Sequence, residues 1–390
     1  MKKIVIKVLM LTVLLSVSVS SYAYDFEVDG IYYNKIDGGL EVANGPHVLD
    51  YDGKISIPQE VNGMSVIAIG DDAFKERTDL VEVTIPNTVE RIGDRAFEGC
   101  EYLYSVEIPD LVKTIGDSAF RGCGISYVSI GQSVQTIGNY AFECCKSKSI
   151  RIPDNVTHIG DYAFSYVDAL VIKLGRGLKT MGVGAFCGSS LSSITIPDGV
   201  KKISVSAFSN CRNLESVKIP NTVTSIKHRA FQNCRNLESI IIPSSVNSIG
   251  ISAFSECKAL KDIYCQAVNV PETHSSAFDN SPIENMTLYV PGESMNAYKT
   301  TAPWSGFGKF QTLTTGIEKT ETAAKPMITT ADGQIAVSGL SGNASIQVLS
   351  LDGKLLDSTN ATDGIATLNA QPGEVVIVKV GTESYKVVVR

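Results

Sequence analysis

Nine cysteines give this chain its most varied chemical potential, because a cysteine can form a bridge, bind a metal or act as a nucleophile. Six of them stand three residues after a phenylalanine that itself recurs along the chain: Cys100, Cys123, Cys145, Cys211, Cys234 and Cys257. Side chains repeated in this way point in parallel, which is poor disulfide geometry, and a buried free thiol behaves as a small hydrophobe. We therefore expect an inward column of unbridged thiols. Three cysteines lie outside this column and are the candidates for bridging or reactivity: Cys144, Cys187 and Cys265.

Histidine and glycine motifs add no catalytic or metal site to this picture. The four histidines are scattered along the chain and none lies in an HExxH motif; they are His47, His158, His228 and His274. No paired CxxC supports a zinc site either. Gly116-Asp117-Ser118 and Gly182-Val183-Gly184 suggest a nucleophile or a dinucleotide loop, but both occupy the same turn of a repeat. A hydrolase is the remote alternative, since it would need two carboxylates facing across a cleft. The sequence thus predicts no catalytic residue, cofactor or metal ligand.

A repeat of 22–24 residues must position all of these side chains. The dipeptide Ala-Phe recurs ten times, with its phenylalanine at Phe74, Phe97, Phe120, Phe142, Phe164, Phe186, Phe208, Phe231, Phe254 and Phe278. In the unit Leu214–Cys234, alternating apolar residues predict a short strand that ends at Pro220, because proline cannot donate to a ladder. A second short apolar stretch and a Gly-Asp pair follow, which predicts a short helical turn capped by the aspartate. One unit cannot bury its apolar face alone, so we predict about ten stacked coils.

The segments around the repeat predict caps, a linker and a second domain. Residues 24–57 break the period and alternate as a β cap, and residues 58–313 form the solenoid with a C-terminal cap. Trp304, the only tryptophan, is expected to pack in that cap. Residues 314–326 are polar and aperiodic, which is typical of a linker. Short apolar runs separated by turn residues predict a small antiparallel β-sandwich over residues 327–390.

Composition and the leader restrict the location and the partners. The 390 residues carry a net charge of −7, which argues against a nucleic-acid partner. Residues 1–23 have the form of a secretory signal peptide, with Lys2 and Lys3, an apolar run, and cleavage before Tyr24. A transmembrane anchor is the alternative, but the run is shorter than the ~20 residues that span a bilayer. We expect an exported protein without a transmembrane span in the mature chain, at the cell surface or secreted, with the periplasm as the alternative.

The outward residues of the first strand are the candidate ligand face. Each unit has one exposed position in this strand, and along the chain these positions change from basic to apolar and aromatic residues. Lys202, in the adjacent stretch, extends the basic zone. The candidate residues are Arg151, Lys173, Lys202, Lys218, Ile241, Tyr264 and Tyr289. Local basicity on a mature chain with 31 basic and 41 acidic residues suits an acidic glycan or protein. A solvated edge without a partner is the alternative.

The unit L-x-x-V-x-I-P-x-x-V-x-x-I-G-x-x-A-F-x-x-C resembles the BspA-like class of bacterial leucine-rich repeats over about residues 50–310. The resemblance implies a leucine-rich-repeat solenoid of stacked parallel strands in a secreted or cell-surface protein, with no enzymatic activity. Some members of that class adhere to host matrix or to other bacteria, so the implied partner is a host matrix protein, a glycan or another bacterial surface. An envelope spacer without a specific ligand is the alternative function.

The C-terminal domain carries a second resemblance. The sequences IQVLSLDGKLL and VVIVKVGTESYKVVVR, which begin at Ile346 and Val375, are similar to the sorting domains of the type IX secretion route. The resemblance implies a tail that directs export across the outer membrane and can be removed there. An accessory sandwich without a sorting role is the alternative.

Overall fold

A computed structural model describes residues 24–46, 53–313, 326–331, 334–340, 344–350, 355–361, 364–371, 375–380 and 383–388. The expected signal peptide, nearly all of the expected linker, and His47 lie outside the described residues. The chain divides into two compact units between Thr312 and Leu313. No helix in the described ranges has the length and apolar character needed to cross a bilayer.

The first unit is a β-solenoid whose coils we number 1–10 by their phenylalanines, from Phe74 in coil 1 to Phe278 in coil 10. Its first strands form the front face, in three parallel sheets of four strands: Lys54–Ser56, Glu82–Thr84, Ser105–Glu107 and Tyr127–Ser129; then Ser149–Arg151, Val171–Lys173, Ser193–Thr195 and Ser216–Lys218; then Ser239–Ile242, Asp262–Cys265, Thr287–Val290 and Lys309–Thr312. Lys54–Ser56, which pairs with Glu82–Thr84, falls within the segment that the sequence assigned to the N-terminal cap.

The second strands of the coils form the side face. They are Met64–Ile69, Arg91–Ile92, Thr114–Ile115, Thr136–Ile137, His158–Ile159, Thr180–Met181, Lys202–Ile203, Ser225–Ile226, Ser248–Ile249 and Glu272–Thr273. All pair in parallel with their neighbours except at one step, because the sheet ends at coil 6 and a new one begins at coil 7. These strands have only two residues in most coils, which is enough because each coil is held by its neighbours.

The core of the solenoid is a stack of the ten repeat phenylalanines. Successive rings lie 5.2–5.7 Å apart between centroids and within 10° of parallel, and each is buried. The alanine before the phenylalanine is also buried in every coil. The residue at this position is small because a larger side chain would have to displace a neighbouring coil. The Ala-Phe repeat is therefore the sequence signature of one continuous core.

The segment that carries Ala-Phe forms turns rather than the expected helical turn. The residue two positions after the phenylalanine has a positive φ in all ten coils, as at Gly99 (74°) in coil 2. The residue two positions before the phenylalanine has a positive φ in coils 1–9, as at Arg95 (54°). In coils 1–8 this alternation turns three N–H groups toward the next coil. In coil 2, for example, Arg95, Phe97 and Gly99 donate to carbonyls of coil 3 at 2.7–2.8 Å. We call this surface the turn face.

The sequence predicted that the repeat aspartates cap their own turn, but they do not. Asp94 Oδ1 accepts a hydrogen bond from the backbone N–H of Asp117 at 2.8 Å, and Asp117 Oδ1 accepts one from Asn139 at 2.7 Å. The side chain thus bridges to the equivalent residue of the following coil. Positive φ at the next residue interrupts the helical path, so the carboxylate meets the next coil instead of its own turn.

Different caps cover the two ends. Phe26–Val28, Ile31–Ile36 and Gly39–Val42 form an antiparallel meander, and its last strand continues in parallel with Met64–Ile69, which also pairs with Glu60–Val61. The C-terminal cap contains three 3-10 turns and one short helix: Ile283–Asn285, Gly292–Ser294, Trp304–Gly306 and Met295–Thr300. Trp304 is fully buried there against Phe278 and Tyr298, as the sequence predicted.

The second unit is an antiparallel β-sandwich, in agreement with the sequence. One sheet contains Met327–Ala331, Gln334–Ser338 and Ile365–Asn369, and the other contains Leu355–Asn360, Ser345–Leu349, Val375–Val380 and Glu383–Val388. Ile335 and Leu368 of the first sheet share one apolar core with Ile346, Val348 and Val378 of the second. Two sheets that bury one face against each other define a sandwich.

Candidate binding faces of the solenoid

The candidate ligand residues of the first strands form one column on the front face. Arg151 is in register with Lys173, Thr195 with Lys218, and Ile241 with Tyr264, which is in turn in register with Tyr289. Adjacent strands lie about 4.8 Å apart, so neighbouring side chains of the column can contact one ligand. Arg151, Lys173, Lys218 and Ile241 are exposed.

The column is divided between two sheets of different character. Arg151, Lys173 and Lys218 belong to the middle front sheet, whereas Ile241, Tyr264 and Tyr289 belong to the last one. Tyr264 and Tyr289 stack with centroids 4.4 Å apart and are half-buried. Burial, together with nearby Asp262, raises the pKa of the Tyr264 hydroxyl, which therefore stays protonated as a hydrogen-bond donor.

Lys202 does not join this column. It lies on the side face, where it is in register with Ser225, and no strand pairing connects it with Lys173 or Lys218. The proline turn between the two strands of each coil directs them along different faces, so a lysine in the second stretch is presented in another direction. The sequence-predicted basic zone is therefore two groups on two faces.

Basic and acidic residues are segregated along the solenoid. Residues 173–235 contain ten basic and two acidic side chains, whereas residues 24–172 contain 11 basic and 24 acidic ones. In the early coils guanidinium groups pair with carboxylates: Arg95 lies 2.7 Å from Asp72, and Arg121 lies 2.7 Å from Glu143. The hydrogen bond from Arg95 lowers the pKa of the Asp72 carboxyl.

The candidate cations lack such partners. Within the described ranges, the side chains of Arg151, Lys173, Lys202 and Lys218 form neither an ion pair nor a hydrogen bond. Unneutralised like charges repel one another across neighbouring strands, so their clustering lowers stability unless an anion neutralises them.

Sequence reasoning missed two aromatic residues at the other end of the front face, Tyr102 and Tyr104, although the strand pattern places the nearby Tyr127 on the outward side. Tyr102, Tyr104 and Tyr127 are exposed by 65%, 62% and 55%. Leu103 between the first two is buried, so its neighbours must point outward. The alternation around Leu103 in the sequence could have revealed them. Tyr104 O accepts the N–H of Tyr127 at 3.4 Å, which places these two tyrosines on adjacent coils.

The thiols are unbridged and structural, as predicted. All nine cysteines are free, and the six of the column are buried. Each column thiol donates to the carbonyl of the phenylalanine one coil earlier, as from Cys145 Sγ to Phe120 O at 3.2 Å. Ser281 replaces the cysteine in coil 10 and donates to Phe254 O at 2.7 Å. Burial raises the pKa of Cys145 and Cys257 to about 12, so neither is a thiolate at neutral pH.

The three cysteines outside the column differ in exposure. Cys187 and Cys265 are buried, and Cys265 Sγ lies 3.2 Å from the hydroxyl of Tyr298. Cys144 is exposed and has a positive φ of 61° on the turn face. It is the one thiol of the nine that a reagent can reach without unfolding.

The described histidines and carboxylates assemble no metal site: no three His, Cys, Asp or Glu side chains in the described ranges converge as metal ligands. His228 Nδ1 accepts the backbone N–H of Ile251 at 2.9 Å, in the place of a repeat aspartate. His158 Nδ1 lies 2.7 Å from Thr157 Oγ1, and His274 Nδ1 lies 2.8 Å from Ser276 Oγ. Each histidine thus has a local partner.

Comparison with known proteins gives the family. The BspA type leucine-rich repeat model matches six copies over residues 67–191 and 179–298. A leucine-rich repeat protein from Bacteroides ovatus is 31% identical over 74% of this chain and 77% of that chain, with a TM-score of 0.62. A leucine-rich cell surface protein from Faecalibacterium prausnitzii is 22% identical over 78% of this chain and 97% of that chain, with a TM-score of 0.47. No curated protein matches. The chain belongs to the BspA type leucine-rich repeat family.

Proposed function

We propose that this protein is a non-enzymatic, exported binding protein that holds an anionic partner, protein or glycan, on the front face of its solenoid. The observation that carries the proposal is the row of unneutralised cations on the middle front sheet, Arg151, Lys173 and Lys218. Membership of a repeat family with cell-surface relatives supports a role in adhesion to a host matrix or another bacterium.

The geometry suits recognition because the column is ordered before the partner arrives. Its side chains stand on paired strands over a packed core, so binding orders little additional backbone. The stacked pair Tyr264 and Tyr289 and the exposed Ile241 supply apolar area at one end of the cations. Aromatic residues of this kind dominate the energetics of many interfaces. We therefore expect the partner to combine acidic groups with an apolar or sugar surface.

Charge reversal on the front face tests this function. The triple variant Arg151→Glu, Lys173→Glu and Lys218→Glu should lower affinity for the partner at least tenfold, because three attractions become repulsions. The measurement is adhesion of purified protein to immobilised matrix proteins and to a glycan array at two salt concentrations. Lys146, Arg212 and Arg229 are exposed cations outside the front column, so their triple reversal to Glu is the matched control. Equal binding by both triple variants would favour the spacer function instead.

Export to the cell surface is the second part of the proposal. The signal-peptide form of residues 1–23 and the sorting-domain likeness of residues 327–390 support it. Cys144 provides a reporter, since it is exposed and the other eight cysteines are buried. A membrane-impermeant maleimide added to intact cells should label one site, Cys144, more slowly than free cysteine because burial raises the pKa of this thiol.

The control for this labelling is the Cys144→Ser variant, which should stay unlabelled until the protein is unfolded. Labelling of Cys144 only after the outer membrane is permeabilised would place the protein in the periplasm and contradict surface delivery. Mass spectrometry of the labelled chain reports at the same time whether residues 327–390 are still attached.

A further inference from the structure

The side face opens at one step, between coils 6 and 7. At the steps on either side, the residue before the side strand donates to its counterpart one coil earlier: Lys179 N–H to Thr157 O at 3.0 Å, and Thr224 N–H to Lys201 O at 2.9 Å. Between these two bonds, Lys201 N–H has no backbone acceptor in coil 6. The front and turn faces remain joined at the same step, as by Phe186 N–H to Ala207 O at 2.9 Å. The opening is therefore a cleft limited to the side face.

Coil 7 differs from its neighbours at two positions beside the opening. The first residue after the side strand is glycine in coils 1–6, and a Cβ on Gly182 would lie 2.4 Å from the backbone nitrogen of Asp161. Coil 7 has Ser204 there, whose Oγ, instead of its N–H, donates to Met181 O. Coil 7 also has Gly199 at the position that Thr222 occupies in coil 8. The Thr222 hydroxyl donates to Val200 O of coil 7 at 2.9 Å, and Gly199 has no side chain for an equivalent bond to coil 6. A side chain at the position of Ser204 does not open the side face by itself, because Lys227 in coil 8 and His274 in coil 10 donate their N–H groups there to Ile203 O and Ile249 O at 3.0 Å.

Lysines surround this cleft. Its volume is about 420 Å³, and it is lined by Lys179, Thr180, Met181, Gly199, Lys201 and Lys202. The three ammonium groups are exposed and have neither an ion pair nor a hydrogen bond within the described residues. Lys179 and Lys201 occupy equivalent positions of successive coils, so they repel one another and oppose closure. The walls of the cleft are mainly apolar, so the lysines line it with their methylene groups and hold three ammonium groups without counter-charges around its mouth.

We propose that the cleft between coils 6 and 7 binds the anionic groups of an acidic glycan chain. Sulfate and carboxylate groups form charge-assisted hydrogen bonds with ammonium groups, which surround the mouth of the cleft, while its apolar wall can contact the C–H face of a sugar ring. The volume lies within the range of small-ligand sites and accommodates one charged sugar unit. Thr180 beside the lysines and Ser248 farther along the same face supply side-chain hydroxyls along the path of a chain. The site lies on a different face from the front column and goes beyond the function proposed above.

A glycan is favoured over a nucleic acid. Binding of single-stranded nucleic acid relies on aromatic rings that stack on bases, and the lining of the cleft contains none. The excess of acidic residues in coils 1–5 would also repel a long polyphosphate that extended beyond the cleft. A glycan needs only a few charged units within the basic coils.

Binding of a heparin octasaccharide to the full mature chain tests the proposal. The double variant Lys179→Glu and Lys202→Glu should lose at least tenfold in affinity and show a shallower dependence on salt, since fewer counterions are displaced. The control of equal charge change, Lys146→Glu and Lys309→Glu, should bind like the wild type. Hyaluronan of the same length separates carboxylate from sulfate recognition, and binding of either sugar supports the site.

Three results would overturn the proposal: no binding of either glycan by the wild type, equal binding by Lys179→Glu/Lys202→Glu and its control, or tighter binding of a 20-nucleotide DNA than of heparin. The front-face triple variant must bind heparin normally for the two functions to be separate.

Discussion

Replacing Phe164 with alanine should lower the free energy of unfolding by about 3–5 kcal/mol, the range for truncation of a buried phenylalanine. The Phe164 ring is fully buried and stacks on Phe142 and Phe186, with centroids 5.3 and 5.7 Å away. Its loss leaves a cavity between two rings that cannot approach each other, because strands on two faces fix the spacing of the coils. Urea unfolding followed by circular dichroism gives the change.

The position of Phe164 near the middle of the stack adds a qualitative expectation. A solenoid is stabilised by contacts between neighbours, so a weak central coil should divide one unfolding transition into two. Phe164→Leu is the control, since leucine keeps most of the apolar volume and should lose less. A change below about 1 kcal/mol in Phe164→Ala, within the range of ordinary surface substitutions, would show that the phenylalanine stack does not carry the core.

Replacing Trp304 with alanine should lower the free energy of unfolding by a similar amount, about 3–5 kcal/mol, and also cause aggregation. Trp304 lies edge-on to Phe278 at 5.3 Å and to Tyr298 at 5.4 Å, and its Nε1 donates to Thr273 Oγ1 at 3.1 Å. It therefore connects the cap with the last coil. Loss of the cap exposes the end of the stack, and an exposed strand end pairs with other chains. Light scattering during thermal unfolding measures this.

Trp304→Phe is the matched control for the cap. It keeps an aromatic ring and loses the hydrogen bond to Thr273, so it should remain monomeric with a loss of about 1–2 kcal/mol. If Trp304→Ala unfolded with the same midpoint and light scattering as the wild type, Lys309–Thr312 and the short helix would be sufficient as a cap without the tryptophan.

The regular features of the fold could be predicted because they repeat. The Ala-Phe spacing gave the number of coils, and its fixed offset to Cys145 and its equivalents indicated a buried thiol column. Trp304 could be assigned to the cap because it follows the last repeat and has aromatic neighbours. These inferences depend on local spacing, which a sequence displays directly.

The other features depend on the distance between coils, which the sequence does not display. Asp94 has the residue type of an N-cap, yet the positive φ of Arg95 directs its side chain to the next coil. The opening beside Lys201 appears only where two neighbouring side strands fail to pair, which no single residue type announces. Lys202 was grouped with Lys173 by charge, and only the pairing of strands separates the two faces.

The direction of the hydrogen bonds on the turn face has a mechanical consequence. The turn-face bonds, three at each step between coils 1 and 9, run along the stack, and so do the bonds of both strand faces. Tension between Tyr24 and Thr312 would load these steps in series, so that coils peel away one at a time instead of shearing together. Each released coil of 22–24 residues can extend to about 80 Å. Under force the solenoid would lengthen in increments and limit the load on whatever it holds.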